Sequence, residues 1–259
     1  MGKVVAIVQA RVGSTRLPQK VLKSIAGKPM LWHVFDRLKR SKLIDEVVLA
    51  TTAKGEDAQL LKIAEEGGAN VFRGSEEDVL DRYFRAATEF KADVVVRITA
   101  DCPLVDPEVV DATIKRFLDG DFDYISNIVK PTYPDGLDVE VFSYGALEKA
   151  WKGARRSSER EHVTAYIRNH PRSFKIGSVE HRENLSGMRW TVDTEKDLKF
   201  VREVYKRLYK KGRIFFMRDV LKLLEKQPEL VEINKGIARN EGYAKSLRED
   251  RLVGRSHES

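Results

Sequence analysis

One cysteine, Cys102, stands in 259 residues. It excludes an internal disulfide framework and gives no sign of an oxidising compartment. No apolar run approaches the roughly 20 residues of a membrane-spanning helix, and Met1-Gly2-Lys3 leads into a strand-like run without a signal-peptide core. The expectation is a cytoplasmic protein with no membrane partner. The G-x-x-x-x-G-K-[ST] phosphate loop is missing, and so is G-x-G-x-x-G, so neither a P-loop nucleotidase nor the usual dinucleotide cofactors are indicated. H-E-x-x-H and paired Cys/His spacings are absent too, which removes zinc. Internal repeats and low-complexity tracts are lacking.

Charge, by contrast, is plentiful. Lys and Arg outnumber Asp and Glu by 47 to 40, and the balance of +7 favours acidic ligands, either nucleotides or nucleic acid. The charges are interspersed along helix-period segments, so most are solvated faces. No groove-reading motif or aromatic–basic platform accompanies them, and nucleic-acid binding is not expected.

Strand-like and helix-like segments alternate through the first half. Apolar runs at Lys3–Gln9, Glu46–Thr51, Asn70–Phe72 and Asp93–Thr99 read as strands. Between and after them, Pro29–Lys39, Ala58–Ala64, Val79–Phe90 and Pro107–Leu118 carry the 3.6-residue period of helices. This is an α/β pattern with a mostly parallel central sheet and helices on both faces. The pattern changes after Tyr124-Ile125. Turn chemistry at Pro131–Gly136 precedes a strand at Asp138–Phe142; 157–169 reads as one helix, 174–179 and 189–192 as strands, and Lys196–Leu208 and Met217–Leu224 as amphipathic helices. We divide the chain into a main domain over 1–225 and an extension over 226–259, whose tail from about Arg251 has no periodicity and reads as disordered.

The chemistry centres on Ala10-Arg11-Val12-Gly13-Ser14-Thr15-Arg16-Leu17-Pro18-Gln19-Lys20, directly after the first strand. Gly13, Ser14 and Thr15 let backbone and hydroxyl donors approach an anion, and Arg11, Arg16 and Lys20 bring charge to it. In parallel sheets ligands sit beyond the carboxyl ends of strands, where this loop lies. Asp101 in Thr99–Leu104 closes another strand; its carboxylate suits magnesium against nucleotide phosphates, or equally a cap on the next turn. Asp193 ends a strand just before Thr194, which can cap a helix with Asp197 at the third position. Arg189 opens that block and suits either an acidic substrate or the surface. Asp138 and Glu140 share a strand face. His162 and Tyr166, four apart, share a helix face, with Glu161 beside them. Cys102 reads as structural.

The opening loop resembles the first signature of cytidylyltransferases that make CMP-activated acidic sugars, the CMP-Kdo and CMP-sialic acid (acylneuraminate) synthetases. The closest resemblance is to the SpsF-type spore coat polysaccharide branch, and it extends over most of the chain. Thr99–Leu104 resembles the second, metal-binding motif; Val192-Asp193-Thr194-Glu195-Lys196-Asp197 resembles V-D-T-x-x-D; His162-Val163-Thr164-Ala165-Tyr166 resembles an H-x-x-x-Y pair on the sugar side. Tyr133–Glu140 resembles the branch's acceptor-side segment, and Gly74–Arg82 its nucleotide-side segment, with residues beyond the shorter S-G-T-D-R pattern. Ile233–Tyr243 also resembles SpsF-like chains, with no physical account beyond an ordered tail packing on a neighbour.

The resemblance implies a Rossmann-like nucleotide-diphospho-sugar transferase fold and a magnesium-dependent nucleotidyltransferase that joins CMP from CTP to an acidic sugar or hydroxy acid, releasing pyrophosphate for surface polysaccharide or glycoconjugate synthesis. It places the nucleotide on Gln9, Ala10, Arg11, Gly13, Ser14, Arg16, Lys20, Ser75, Arg82 and Ala100. The metal falls to Asp101 and Asp193, with Lys20 and Arg11 also catalytic and Asp197 a helper. The acceptor falls to Asp138, Glu140, Glu161, His162, Tyr166 and Arg189. Family habit implies a homodimer. The alternative is a metal-dependent glycosyltransferase using a nucleotide sugar, which needs a D-x-D at a strand end; Asp121-Phe122-Asp123 follows Gly120 in a connecting segment instead.

Overall fold

Val4–Gln9 (β1) is apolar along its whole length because it runs through the middle of a sheet with both faces covered. The computed structural model describes residues 2–14, 16–237, 239 and 241–250. A small hairpin, Ser24–Ile25 (β2) with Lys28–Pro29 (β3), follows the opening loop. The remaining strands are Glu46–Thr52 (β4), Asn70–Gly74 (β5), Val94–Thr99 (β6), Tyr124–Ser126 (β7), Glu140–Ser143 (β8) and Ile176–Ser178 (β9). They join β1 in a seven-stranded sheet of order β5-β4-β1-β6-β8-β7-β9. β1, β4, β5 and β6 are mutually parallel; β8 alone runs against its neighbours, and β7 and β9 return to the common direction. The mostly parallel α/β architecture expected from the alternation is the one observed.

Helices Met30–Leu38 (α1), Ala58–Gly67 (α2), Val79–Glu89 (α3) and Pro107–Leu118 (α4) connect the first strands. Tyr144–Gly153 (α5), Ser157–Glu161 (α6), Ala165–Asn169 (α7), Glu195–Leu208 (α8), Met217–Lys226 (α9) and Glu241–Arg248 (α10) complete them. The period-2 pleat of β1 sends Val4, Ala6 and Val8 into one core, with Leu31 and Val34 of α1, Ile114 of α4 and Val201 of α8. Val5 and Ile7 enter the other, with Leu80 and Tyr83 of α3 and Leu147 of α5. Each such fully buried side chain stabilises the fold by about 1.5–3 kcal/mol, so the strand ends that carry the site are held on a rigid base.

Two elements differ from the expectation. The stretch 157–169 is not one helix: α6 ends before His162, which has φ −103° and ψ 51°, and α7 begins at Ala165. Tertiary contacts win over local propensity here, since Val163 is buried in the second core and Thr164 donates to Glu140 at 2.5 Å. Residues 189–192 form no ladder strand; their one sheet-like contact is a bridge between Asp135 and Arg189. Residues 228–237 also pack on the main body, with Leu230 buried in the first core. The expected disorder of 251–259 concerns residues outside those described.

Candidate active site

β1 lies between β4 and β6, so the chain leaves its carboxyl end toward one side of the sheet and later returns on the other. Such a switch point opens a crevice between the loops that follow the two strands. The opening loop is tied down by Val12, whose N–H donates to the buried Asp57 carboxylate at 2.7 Å. Gln19 then takes the left-handed conformation, φ 55°, at the start of a short 3-10 turn over Lys20–Leu22. A non-glycine residue held there costs of order 1 kcal/mol and is a feature that clusters at functional sites. The turn aims Lys20 into the crevice.

Lys20 Nζ donates to Asp101 Oδ2 at 2.6 Å and to Asp193 Oδ1 at 2.9 Å. Arg16 reaches the same Asp193 oxygen at 2.7 Å. Burial alone would raise the Asp101 carboxyl, but the Lys20 ammonium outweighs it and holds the group at about 2. Burial likewise disfavours the Lys20 charge, and the two carboxylates overcome it and keep the ammonium protonated.

Asp193 arrives through backbone contacts that no ladder supplies. Val192 N–H donates to the Asp101 carbonyl at 2.8 Å and Trp190 N–H to that of Asp135 at 2.6 Å. A Cβ at Gly136, φ +105°, would lie 2.4 Å from Thr191 N, so only glycine allows this approach. Arg189 is buried and spans three carboxylates: Asp135 at 2.8 Å, Asp193 at 2.9 Å and Asp197 at 3.0 Å. Asp197 is fully buried, closes the capping box with Thr194, and is held below the ordinary carboxylate range because Arg189 and Asn234 outweigh its desolvation. Arg189 is thus the hub that orients Asp193, and Asp197 anchors the hub.

The other nucleotide-side candidates gather around the same edge. Gln9 ends β1 with its Oε1 buried and without a partner, and Ala10 and Ala100 are buried at the ends of β1 and β6. Arg11 is exposed at the rim, 3.6 Å from Glu76. A Cβ at Gly13 would meet only Glu56 at 3.7 Å, so the chain's own packing does not demand glycine there. Ser14 N–H closes a tight turn onto the Val12 carbonyl, and Thr15 lies outside the described residues. Ser75 accepts from the N–H of Asp78, the residue that caps α3, and Arg82 donates to the Ser75 carbonyl at 2.6 Å.

The acceptor-side candidates divide. Asp138, Glu140 and His162 line one cleft of about 200 Å³ together with Asp101, Asp193 and Arg189. Asp138 is paired with Arg239 at 2.6 Å; burial, with Asp135, Glu140 and Asp101 nearby, outweighs that partner and pushes its carboxyl up to about 7. Glu140 is buried, with one oxygen on Arg97 and the other accepting from Tyr124 at 2.7 Å and Thr164 at 2.5 Å. It therefore anchors the wall of the cleft, with both oxygens already engaged by Arg97, Tyr124 and Thr164. Tyr166 is not among the residues lining the cleft; its ring stacks on His170, centroids 4.0 Å apart. Glu161 accepts from Ser246 at 2.7 Å and lies 3.7 Å from His162 Nε2. Asp121-Phe122-Asp123 sits at the start of β7, the sheet edge opposite the site, with Asp121 on Lys175.

Arg97, Arg168, Asp135, Asn234, Arg239 and Tyr243 were not among the sequence candidates. Arg97 alone carried a visible signal, a cation inside the apolar run Val94-Val95-Val96-Arg97-Ile98. Arg168 lies in α7, and the others lie in a loop or in the C-terminal segment, which packs on its own chain: Asn234 donates to the Arg189 carbonyl and to Asp197, each at 2.9 Å.

A carboxylate pair and clustered cations at the switch point of a mostly parallel sheet define a phosphate-handling α/β protein. The chain belongs to the cytidylyltransferase family, whose model matches residues 5–233. It is 41% identical to MJ1063 of Methanocaldococcus jannaschii, over 91% of this chain and 96% of that one. It is 34% identical to the spore coat polysaccharide biosynthesis protein SpsF of Bacillus subtilis, over 88% and 97%. A solved cytidylyltransferase from Leptospira borgpetersenii superposes with a TM-score of 0.87 at 32% identity, covering 92% of this chain and all of that one. No helix among the described residues is long and apolar enough to cross a membrane.

Proposed function

We propose that the protein transfers CMP from CTP to the hydroxyl of a small acidic acceptor, a sugar acid or related hydroxy acid, and releases pyrophosphate. The observation that carries this reading is the convergence of Lys20, Asp101 and Asp193 on one point of the cleft, with Arg16 beside them. The acceptor oxygen forms its bond to the α-phosphorus as the α-phosphorus–oxygen bond to the β-phosphate breaks, and the hydroxyl proton leaves to solvent. Lys20, Arg16 and Arg11 neutralise the triphosphate and the departing pyrophosphate, so the chain's contribution is positioning and charge stabilisation. Arg189 keeps Asp193 in register through the transfer.

The residues fit a magnesium ion. Two hard oxygen donors approach a single cationic nitrogen from separate parts of the chain, and magnesium takes one or two carboxylates with phosphate oxygens and water completing its shell. Asp101 and Asp193 would hold it; when bound, it would supply charge neutralisation at the phosphates. Similarity to a spore coat polysaccharide protein supports a product destined for a surface glycan.

The test is pyrophosphate release from each of the four nucleoside triphosphates with Mg²⁺, against a panel of sugar acids and hydroxy acids. Release with CTP alone, dependent on one acceptor, is expected. Equal release from all four, or none with any acceptor and no CTP binding, would end the reading.

A further inference from the structure

The family match stops at residue 233; the cleft does not. Arg239 lies on Asp138 at 2.6 Å and is 3.7 Å from Asp135. Tyr243 lines the cleft and meets the His162 ring edge-on, centroids 5.0 Å apart. Ser246 bonds His162 Nε2 at 2.9 Å, and Asp250 accepts from Ser158 N–H at 3.0 Å. One side of the cleft is thus made by residues that follow the span of the family model.

That side meets an unsatisfied cation. Arg168 lies over the Tyr243 ring, 5.3 Å from its centroid, and its side chain makes no hydrogen bond among the described residues. Its Nε is buried without a partner, as is that of Arg97 in the same cleft. Glu140, the carboxylate near both, already has its oxygens occupied by Arg97, Tyr124 and Thr164. Guanidinium groups only donate, so buried donors left over in a cleft call for an anionic acceptor atom. His162 reports the same field: burial lowers its imidazole to about 4, with Arg97 and Arg168 adding to that effect and Glu161 opposing it. A carboxylate supplies such acceptor atoms with a single negative charge, in a cleft also lined by Asp101, Asp135, Asp138 and Asp193.

We propose that Arg168, presented by the Tyr243 ring, reads a carboxylate of the acceptor, so that the C-terminal segment sets acceptor specificity. The inference rests on the CMP-transfer reading for what the acceptor is, and adds the residues that select it. Arg168 is the contact; Tyr243 is a positioning residue.

Isothermal titration tests it on the full chain held in chelator, so that turnover does not interfere. CTP is titrated first. Then 3-deoxy-manno-octulosonate, N-acetylneuraminate and neutral hexoses are titrated, with and without CTP present. At least one sugar acid and no neutral sugar should bind the wild type. Arg168→Gln should weaken the acid by about tenfold or more, and Tyr243→Leu by about threefold to tenfold. Tyr243→Phe, which keeps the ring, should restore wild-type binding, and CTP affinity should stay unchanged in all three. No sugar acid binding to the wild type, or equal binding in Arg168→Gln, would overturn the proposal; so would Tyr243→Phe behaving as Tyr243→Leu. Failure of the wild type to bind CTP would instead remove the nucleotide reading, and acid binding without CTP would still decide this one.

Discussion

Replacing Glu140 separates a structural anchor from a ligand contact. Its side chain is 3% exposed, its partner Arg97 is 14% exposed, and Tyr124 and Thr164 donate to its second oxygen. Glu140→Gln keeps the shape and removes the charge, leaving Arg97 in the sheet with no counter-ion in contact. Breaking a buried pair from one side costs about 3–5 kcal/mol, which in a chain of this size lowers Tm by about 6–20 °C. Burial disfavours the Glu140 charge, but Arg97, Arg168 and the two hydroxyl donors outweigh it and hold the carboxyl below its ordinary value. A depressed carboxyl contributes stability above the unfolded-state value of about 4.3 and loses it as pH falls through the folded value. The gap between wild type and variant should therefore be widest near pH 7 and close toward pH 3 in urea melts. Removing both partners, as Arg97→Met with Glu140→Leu, should recover most of the loss, because neither charge then stays buried alone. A Glu140→Gln protein as stable as wild type would refute the reasoning, as would a double variant no better than the single one.

Three further outcomes are expected. Lys20→Ala removes the charge between Asp101 and Asp193 and should raise the CTP Kd by about tenfold or more; an unchanged Kd in fluorescence titration would take Lys20 out of the nucleotide site. Asp138, raised to about 7 by burial near Asp135, Glu140 and Asp101 with Arg239 opposing, keeps a proton in the folded state that the unfolded chain releases from about pH 4. Stability should then fall as pH rises from about 4 to about 7, and Asp138→Asn should remove that part of the slope in urea melts; a slope identical to wild type would count against the burial argument. Thr194→Ala deletes the cap of α8 and should cost about 1 kcal/mol, read as a lower urea midpoint with an unchanged m-value.

Much of the fold is legible in local periodicity. The strands β1, β4 and β6 announce themselves as short runs rich in β-branched residues, and α4 begins where Pro107 follows the capping Asp106, as local rules require. The opening loop is legible for a similar reason: anion chemistry needs small residues and cations close in sequence, and Gly13, Ser14, Arg16 and Lys20 sit together. Long-range chemistry is less visible. The break at His162 follows from Val163 and Thr164 having destinations elsewhere in the fold. The burial of Arg189 follows from three carboxylates at Asp135, Asp193 and Asp197, of which only the last two are near it in sequence.

By itself the sequence determined the α/β class, the strand and helix order of the first half, and the identity of the loop and carboxylates from which a phosphate site can be built. Those are properties of residues within a few turns of each other. Tertiary structure decided which of these groups meet. Asp101 and Asp193 share Lys20 because backbone bonds lay 190–192 across the sheet edge and Gly136 permits the approach. Glu140 became an anchor because Arg97, Tyr124 and Thr164 claimed both of its oxygens. The C-terminal segment became a wall of the cleft because Arg239 and Tyr243 found partners far away along the chain. Hydrogen-bond saturation and burial are set by the neighbours that folding brings together, and no local pattern records who those neighbours are.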